Sequence, residues 1–404
     1  MKIGTMRSID YWLGVPLCFF LSGFNFFAKI FSFKAKRKNA PPRILFIKLS
    51  ELGAIALAYP LFTRIKEEYP SAELFFVTFE KSRDIFKLLK GVVADENVLG
   101  IRDDSIGVFI LDTFKVIKRL RREKFDIVFD LDFFSRFTAI LAYLAKADKR
   151  AGFYRYTFEG LYRGSLLTHK FQYNPLNHVS KTYLSLSQAA RQERKDTPES
   201  DSSIGDKEIV LPQYISEGRI QEAMRERLKA SGINAGSKLF LLNPGEGLLP
   251  LREWPLDNFI ALSKRLLEDK NNYIIIIGKD EAFKKGELIL KAAGASRCLN
   301  FSGKTSLEEL MGLFNIAEAL ISNDCGLAHL AMLSPVKKFV IFGPESPQVF
   351  GPLGKNNWII YSNWPCSPCL SAFNHRKSSC RDNKCLKAIN PEDVYRLIKK
   401  ACEN

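Results

Sequence analysis

Short apolar runs alternate with helical stretches in two series, and one polar segment separates the series. The segment 191–207 (RQERKDTPESDSSIGDK) has almost no apolar content and predicts an interdomain linker. Because repeated strand–helix units build doubly wound parallel sheets, we predict an α/β chain with two Rossmann-like domains, 41–190 and 208–404. Ligands of such sheets bind at the carboxyl ends of the strands, so we expect the site in the cleft between the domains. The runs typical of buried parallel strands are 43–49, 74–77, 125–131, 238–242, 273–277, 319–322 and 338–342.

Residues 1–40 precede this alternation and contain an uncharged apolar stretch, 11–28. As a helix the stretch would reach about 27 Å, slightly less than the roughly 30 Å of a hydrocarbon core. Gly14, Pro16 and Asn25 weaken it as a spanning helix, and basic residues flank it on both sides. We therefore predict a membrane-associating segment that lies in the lipid interface. A spanning helix and a helix packed on the globular body are the alternatives.

The charge of the chain implies an anionic partner. Lys and Arg number 60 against 44 Asp and Glu, a formal net charge of +16. Nucleic acid, an acidic membrane surface and a phosphorylated substrate would each explain it. An apolar content of 46% excludes a mainly disordered chain, and a mean hydropathy of −0.09 excludes a polytopic membrane protein. No basic and aromatic recognition motif occurs, which makes nucleic acid the least favoured partner.

Polar and glycine-containing motifs follow the strands of the second series. The turn 243–247 (NPGEG) could bring backbone N–H groups close to a phosphate, although a plain turn would have the same sequence. Arg252, in LREWP, lies just before a predicted helix, where a lone arginine is usually a solvated charge.

The segment 322–329 (SNDCGLAH) joins a strand to a helix, and we expect Asp324 to cap that helix. His329, one of only four histidines, lies in the first turn, where a histidine taken alone is more often structural. The segment 342–345 (FGPE) ends the next strand and should form an adjacent wall.

In the first series, 48–53 (KLSELG) joins the first strand to a helix. Glu51 is a carboxylate at a strand end, a common position for a general base. The alternative is a solvated acid in the first helical turn, which the helix dipole favours.

Together these segments resemble the heptosyltransferase family, glycosyltransferase family nine. The similarity runs from Arg43 to the C terminus, in the motifs ILFIKLSELG, NPGEG…LREWP, FSGKTSLEEL, LISNDCGLAHLA and VIFGPESP. The resemblance implies a GT-B fold with an N-terminal acceptor domain and a C-terminal domain that binds a nucleotide-diphosphate sugar. It also implies synthesis of lipopolysaccharide core or a related glycan, with no metal in the chemistry.

The resemblance implies donor-binding roles for particular residues of this sequence. Arg252 would contact the donor phosphates or sugar, Glu281 the ribose, and the backbone of Thr305 the nucleobase. Asp324, Gly326 and His329 match a DSGxxH motif that binds the diphosphate-sugar, with Cys325 in place of the usual Ser or Thr. The implied donor-binding set is Asn243, Gly245, Arg252, Glu281, Thr305, Asp324, Gly326 and His329.

One position departs from the family pattern. The usual catalytic base is an Asp directly after the glycine of the SxxGD turn, and here that residue is Ala54. Ala cannot accept a proton, so either Glu51 on the same turn has replaced it or catalysis is lost or altered. Because the donor motifs are complete, we favour Glu51 as the catalytic base.

Four of the eight cysteines lie within 366–385, as Cys366, Cys369, Cys380 and Cys385. The Cys-x₂-Cys pair has the spacing of zinc ligands, and four thiolates could close a structural tetrahedral site. A redox-sensitive clamp formed by the same thiols and reduced thiols in a cytosolic loop are the alternatives.

We therefore expect an inverting, metal-independent glycosyltransferase at the cytoplasmic face of the inner membrane, peripheral or monotopic. Its expected partners are a nucleotide-diphosphate sugar, with ADP-heptose as a candidate, a glycolipid or core-oligosaccharide acceptor, and an anionic membrane surface. Nucleic acid is not expected. The alternative function is a catalytically impaired sugar-nucleotide-binding or assembly protein of the same fold, which Ala54 would permit.

Overall fold

The computed structural model describes residues 3–31, 40–49, 51–89, 91–154, 163–195, 197–200, 203–234, 236–245 and 249–403. The chain divides into two compact units, Met1–Val210 and Leu211–Asn404. Each unit contains a six-stranded parallel sheet covered by helices on both faces.

Unit 1 begins with two helices that precede its sheet. Its strands follow the order β3-β2-β1-β4-β5-β6, and every neighbouring pair is parallel. The elements are α1 (Ile3–Trp12), α2 (Gly14–Phe31), β1 (Arg43–Ile47), α3 (Leu52–Leu57), α4 (Tyr59–Glu68), β2 (Glu73–Phe79), α5 (Ile85–Leu88), β3 (Val98–Ile101), α6 (Ile106–Glu123), β4 (Ile127–Asp130), α7 (Arg136–Leu144), β5 (Lys149–Tyr154), β6 (His169–Gln172) and α8 (Val179–Arg191).

The central strands of the unit 1 sheet, β1, β2 and β4, are buried on both faces and are mostly apolar. On one face, Phe46 of β1 packs against Phe62 of α4, with ring centroids 4.9 Å apart. On the other face, Leu45 and Ile47 share a cluster with residues of α6 and α7. Alternate residues of one strand therefore hold two helical layers in place.

Unit 2 repeats this architecture with the strand order β12-β11-β10-β7-β8-β9. Its main core lies between the sheet and α10, α11 and α16, where Trp254, Phe259 and Ile398 are buried. The elements are α9 (Gly218–Ala230), β7 (Lys238–Asn243), α10 (Leu256–Leu266), β8 (Asn272–Ile276), α11 (Phe283–Ala293), β9 (Cys298–Asn300), α12 (Leu307–Ile316), β10 (Ala319–Asn323), α13 (Gly326–Ala331), β11 (Lys337–Phe342), α14 (Pro347–Phe350), β12 (Asn357–Tyr361), α15 (Lys384–Lys387) and α16 (Pro391–Glu403).

The N-terminal segment packs on unit 1 as the helices α1 and α2. Cys18 of α2 shares a small apolar cluster with Ala139 of α7 and Leu166. A helix packed on the globular body, one of the alternatives, therefore describes its contacts better than a segment held only by lipid. Among the described residues, no helix has both the length and the hydropathy that a membrane span requires.

The segment predicted as a linker is partly built into unit 1. Glu199 bonds to the edge strand β6, because its N–H donates to Lys170 O at 2.8 Å and its O accepts from Gln172 N at 2.7 Å. Further along, Lys181 of α8 pairs with Asp206 at 2.8 Å. The described part of 191–207 is therefore held by unit 1 rather than forming a free spacer.

Candidate functional site

The carboxyl ends of β7 and β10 form the centre of a polar site in unit 2. These strands are neighbours, and the chain continues from β7 to β8 on the opposite side, so the strand order reverses here. Asn243 ends β7 and donates from Nδ2 to Ser322 Oγ at 3.0 Å and to Cys325 Sγ at 3.1 Å. Asn323 ends β10 and donates to Pro244 O at 3.3 Å. These side-chain amides hold the two strand ends together.

Two glycines allow the loops after β7 and β8 to approach each other closely. A Cβ on Gly245 would lie 2.9 Å from the Cβ of Ala282, and one on Gly278 would lie 2.7 Å from it. Gly278 also has φ +142°, which side chains rarely adopt. Glu281 is exposed in the 3₁₀ turn Asp280–Ala282 beside this contact, and the half-buried Thr305 follows β9. Glu281 and Thr305 thus lie on the β8–β9 side of Asn243.

On the β10–β11 side, two buried carboxylates meet two arginines. Arg252 Nη1 lies 3.6 Å from Asp324 Oδ2 and 3.5 Å from Glu345 Oε1. Arg376 Nε lies 3.1 Å from the same Glu345 oxygen. The side chain of Arg252 is only 13% exposed, so it is not the solvated charge that a lone arginine usually is. Burying these charges is tolerable because each has an opposite partner.

The Arg252 turn is fixed by the residue that follows it closely in sequence, Trp254. Trp254 N donates to Asn323 Oδ1 at 2.9 Å, and its indole Nε1 donates to Ile389 O at 3.0 Å. With only 1% of its surface exposed, Trp254 anchors the turn in the core. The guanidinium of Arg252 is thereby directed to the end of β10.

His329 joins the same cluster from α13. Its Nε2 lies 3.6 Å from Asp324 Oδ1, while its Nδ1 has no hydrogen-bond partner among the described residues. Burial acts to raise the pKa of Asp324, but Arg252, His329 and Arg376 outweigh it, and the pKa lies below its ordinary value. Asp324 is therefore ionised at neutral pH.

The prediction that Asp324 caps helix α13 is wrong. Cys325, not Asp324, is the N-cap residue of α13, and no side chain caps the helix. Asp324 precedes the cap, and its carboxylate is directed to Arg252 and His329 instead. Gly326 is the first residue of α13.

The cysteine-rich loop, 366–385, lies beside this cluster because it carries Arg376. Burial raises the pKa of the Cys385 thiol, and Cys366, Cys369 and Cys380 contribute to raising it further, so all three lie within electrostatic reach of Cys385. All four thiols are unpaired by disulfides. Among the described residues, no group of three or more His, Cys, Asp or Glu side chains is arranged to hold a metal ion.

A second charged arrangement lies at the strand ends of unit 1. Lys48, which follows β1, is 2.5 Å from Asp132, which follows β4. Asp132 also accepts from Leu49 N at 3.1 Å, and its own N–H donates to Asp130 Oδ1 at 3.2 Å. Burial would lower the pKa of Lys48, but nearby negative groups, Asp132 foremost, raise it. Burial, followed by the charge of Asp132, raises the pKa of Asp130 to about 7.

Glu51 is the N-cap residue of α3 and has a left-handed backbone, with φ 74°. Its exposed side chain does not cap the helix, while its carbonyl oxygen accepts from Ala54 N at 2.9 Å. A left-handed conformation costs a residue with a Cβ roughly 1–2 kcal/mol. Such strain at a strand end is typical of functional turns.

Comparison with known proteins identifies the family of the chain. Residues 113–379, more than half of the chain, match glycosyltransferase family 9 (heptosyltransferase). The chain belongs to glycosyltransferase family 9. It is therefore a glycosyltransferase, as the resemblance in its motifs implied.

Family 9 relatives match along most of the chain. Lipooligosaccharide heptosyltransferase 2 of Haemophilus ducreyi is 25% identical over 326 residues, which cover 79% of this chain and 88% of that protein. Lipopolysaccharide heptosyltransferase 2 of Salmonella typhimurium is 24% identical over 325 residues, 79% of this chain and 87% of that protein.

Solved family 9 structures share the fold. The structural alignment with E. coli ADP-heptose lipopolysaccharide heptosyltransferase II has a TM-score of 0.68 at 19% identity. It covers 89% of this chain and 98% of the E. coli chain. The alignment with a family 9 glycosyltransferase of Veillonella parvula has a TM-score of 0.68 at 18% identity, and it covers 89% of this chain and 97% of the Veillonella chain. The predicted α/β class with two parallel Rossmann-like sheets is confirmed.

Several charged residues of this family 9 chain were missed by sequence reasoning. Arg376 lies far along the chain from Arg252 in a loop notable for its cysteines, so no local pattern points to it. Asp130 and Asp132 follow a clear strand in the sequence FDLD, and this signal could have identified them. Arg163 is a buried arginine that sequence reasoning did not single out, and it donates to Phe153 O.

Proposed function

We propose that this family 9 enzyme transfers heptose from ADP-heptose to a lipopolysaccharide-core or related lipid-linked acceptor, with inversion at the anomeric carbon. The observation that carries the proposal is the buried cluster of Arg252, Asp324, Glu345 and His329 at the strand ends of unit 2. The names of the relatives supply the sugar and nucleotide, because they are heptosyltransferases and include an ADP-heptose enzyme.

Donor binding is assigned to unit 2. Arg252, held by buried carboxylates, would neutralise the diphosphate, and the amide of Asn243 and the close approach at Gly245 would shape the turn beneath it. Gly326 and His329 would contact the diphosphate-sugar beside Asp324. The exposed Glu281 would accept hydrogen bonds from the ribose, and the backbone of Thr305 would face the adenine.

The chemical step is proposed to be a single displacement. The acceptor hydroxyl oxygen attacks the anomeric carbon, the bond from that carbon to the phosphate oxygen breaks, and ADP leaves with the electron pair. The base accepts the hydroxyl proton, and cationic side chains stabilise the negative charge on the leaving diphosphate. Arg252 would provide this stabilisation without a divalent cation.

Glu51 is our proposed catalytic base, since Ala54 cannot accept a proton. Its exposed carboxylate and strained backbone at the end of β1 support the role. The alternative function, sugar-nucleotide binding without transfer, is favoured by Ala54 alone and predicts donor binding with no turnover.

Two further assignments belong to this proposal. Cys366, Cys369, Cys380 and Cys385 would close on a structural zinc ion that maintains the loop carrying Arg376, although their present arrangement does not form a ligand set. We also propose that the enzyme acts at the cytoplasmic face of the inner membrane, where a lipid-linked acceptor would be available.

A panel of nucleotide sugars tests the proposed donor. ADP-heptose should raise the melting temperature of the full chain, whereas UDP-linked hexoses should not, because only a bound ligand stabilises the folded state. Omitting Mg²⁺ and other added divalent cations should leave the ADP-heptose shift and the transfer rate unchanged. Stabilisation by a UDP-hexose alone would show that the donor is wrong while the fold assignment stands.

Glu51→Gln tests the proposed base. Transfer from ADP-heptose should fall by about 10²–10⁴-fold, the usual contribution of a general base, while the donor-induced thermal shift stays unchanged. Glu67→Gln, at an exposed glutamate of α4, is the matched control and should retain full activity. An unchanged rate for Glu51→Gln would remove Glu51 from the mechanism, and loss of activity in Asp132→Asn would then identify the β4 strand end as the alternative.

A further inference from the structure

The large apolar side chains of helix α2 face away from the protein, whereas a surface helix of a soluble protein usually buries them. Its buried or half-buried stripe consists of Gly14, Cys18, Leu21, Ser22 and Asn25, residues spaced as one helical face and mostly small or polar. The opposite and wider face is exposed and aromatic. Together with the end of α1, the exposed aromatic set is Trp12, Phe19, Phe20, Phe24, Phe26 and Phe27, each more than 60% exposed.

This orientation is fixed by specific contacts, beginning with Asp10 of α1. Asp10 Oδ1 accepts from the backbone N–H groups of Arg136 and Phe137 at 3.0 and 2.9 Å, in the first turn of α7. Its other oxygen, Oδ2, lies 3.4 Å from the Arg136 guanidinium. A carboxylate at a helix N terminus complements the free N–H groups and the dipole there. Asp10 therefore anchors α1 to α7.

Further along α2, small and polar residues maintain a close approach to unit 1. A Cβ on Gly14 would lie 2.8 Å from Arg136 Cβ. Ser22 Oγ accepts from Ser165 N at 2.9 Å, and Asn25 Nδ2 donates to Ser165 O at 3.2 Å. Rotating the helix to bury its phenylalanines would break these contacts. The aromatic face is thus held outward by the fold itself.

Helix α6 continues the exposed apolar surface and adds positive charge. One row along it, at intervals of four residues, consists of Ile106, Ile110, Phe114, Lys118 and Arg122, all exposed. The row is apolar in its first half and basic in its second. Among the described residues, no acidic side chain pairs with Lys118 or Arg122.

The two surfaces belong to the same helical layer of unit 1. Met6 of α1 packs against the cluster that also contacts Phe109 of α6 and Phe137 of α7. Both α2 and α6 also pack on α7. The helices that carry the exposed aromatic face and the apolar-to-basic row therefore both pack on α7.

We propose that the exposed faces of α1–α2 and α6 form a single docking surface for an anionic lipid bilayer, on which the helices lie flat. Phenylalanine and tryptophan side chains would enter the boundary between headgroups and acyl chains, and the basic half of α6 would meet the anionic headgroups. The inference does not depend on which donor the enzyme uses.

Charge favours a bilayer over a second copy of the chain as the occupant. A symmetric dimer through this surface would bring two copies of the basic half of α6 into one interface, in a protein whose net charge is already +16. Anionic headgroups would instead complement Lys118, Arg121 and Arg122. Aromatic side chains are also the type that membrane interfaces favour.

Vesicle binding of the full chain tests the aromatic half of the surface. The triple variant Phe20→Ser, Phe24→Ser, Phe27→Ser should bind phosphatidylcholine–phosphatidylglycerol vesicles at least about tenfold more weakly in flotation assays, because it removes inserted apolar area. These side chains are exposed, so the melting temperature and the donor-induced thermal shift should stay at the wild-type values. These two readouts separate loss of lipid binding from failure of the proposed donor site.

The matched control removes three exposed apolar side chains elsewhere, with Leu176→Ser, Val210→Ser and Ile215→Ser. It should bind vesicles as the wild type does. Equal binding by both triple variants would overturn the proposal. The proposal would also be overturned if the wild type did not bind vesicles but formed a dimer in solution, and the phenylalanine variant were monomeric.

A second triple variant, Lys118→Gln, Arg121→Gln, Arg122→Gln, tests the basic half. It should lose about tenfold or more of the preference for phosphatidylglycerol vesicles over pure phosphatidylcholine, and added salt should reduce the difference. The control, Arg219→Gln, Arg225→Gln, Lys229→Gln, removes three cations of α9 in unit 2. An unchanged lipid preference in the α6 variant would overturn the role of the basic half.

Discussion

Arg376 brings a second guanidinium to the buried carboxylates of unit 2. Its pairing with Glu345 leaves Arg252 shared between Glu345 and Asp324, so the two arginines together balance two carboxylates. His375 and Arg376 both have left-handed backbones, with φ 51° and 53°. Each costs roughly 1–2 kcal/mol, and the fold retains them where they place Arg376 at the site.

Replacing Arg376 should weaken donor binding. Arg376→Gln removes a cation beside the proposed diphosphate position, and a charge-assisted hydrogen bond of roughly 1.5–3 kcal/mol corresponds to at least about tenfold in donor affinity. Titration calorimetry with ADP-heptose measures the change. Lys377→Gln, the exposed cation next in sequence, should bind normally. Donor affinity equal to wild type in Arg376→Gln would restrict Arg376 to a structural role.

Asp130 predicts a specific pH dependence of stability. Its pKa in the folded chain is raised from 3.8 to about 7, chiefly by burial. Between these values the folded state retains a proton that the unfolded state has lost, so the free energy of unfolding falls as pH rises through this window. Asp130→Asn should remove this loss, on the order of 2 kcal/mol between pH 5 and pH 8.

Denaturant unfolding at both pH values measures this effect. The informative quantity is the difference in slope between the wild type and Asp130→Asn, because other groups titrate equally in both. Asp104→Asn, at an exposed aspartate, should follow the wild-type profile. Parallel profiles for the wild type and Asp130→Asn would contradict the raised pKa.

At the scale of elements, the cysteine-rich loop combines two features. It carries Arg376 to the site, and it places three thiols within electrostatic reach of Cys385. If the proposed zinc ion is correct, protein purified without chelator should contain stoichiometric zinc by elemental analysis. Cys369→Ser should lose the metal and lower the melting temperature, whereas Cys402→Ser, outside the loop, should keep both. If the wild-type protein contained no metal, the zinc proposal would be wrong, and the four cysteines of the loop would be reduced thiols.

Elements were predictable wherever one periodicity dominated the sequence. The run at 43–49 is apolar because β1 is buried on both faces, and this property can be read without knowing the partners. The orientation of α2 was not readable in this way, because its contacts depend on Asp10 reaching α7 and on Ser165 far along the chain. An apolar composition indicates that a helix avoids water, but it does not say which face packs on protein.

The same distinction applies to the site. Asp324 and His329 lie in one motif, five residues apart, and His329 Nε2 lies 3.6 Å from Asp324 Oδ1. Glu345 and Arg376 join them only because β11 lies beside β10 and the cysteine-rich loop returns to its end. Long-range ion pairs of this kind have no local sequence signal. The expected cap by Asp324 was wrong because two ionic partners compete for its carboxylate more effectively than the helix N–H groups.

At the scale of the whole molecule, the net charge of +16 is distributed over distinct surfaces. Arg252 and Arg376 account for a small part of it in unit 2, where they lie beside Asp324 and Glu345. The basic half of α6 in unit 1 is solvent-exposed and available to a large anionic partner. Charge counted over the chain therefore indicated an anionic partner, and only the structure separates the arginines buried beside carboxylates in unit 2 from the cations exposed along α6.

The side chain of Asn323 has a consequence for how a ligand is received. Its Nδ2 donates to Pro244 O and its Oδ1 accepts from Trp254 N, so Pro244, directly after β7, and the turn bearing Arg252 are tied to the same strand. The backbone at Pro244 and at Trp254 is therefore ordered before a ligand arrives, because its conformational entropy has already been lost on folding. Preorganisation of this kind lets more of the interaction free energy appear as affinity.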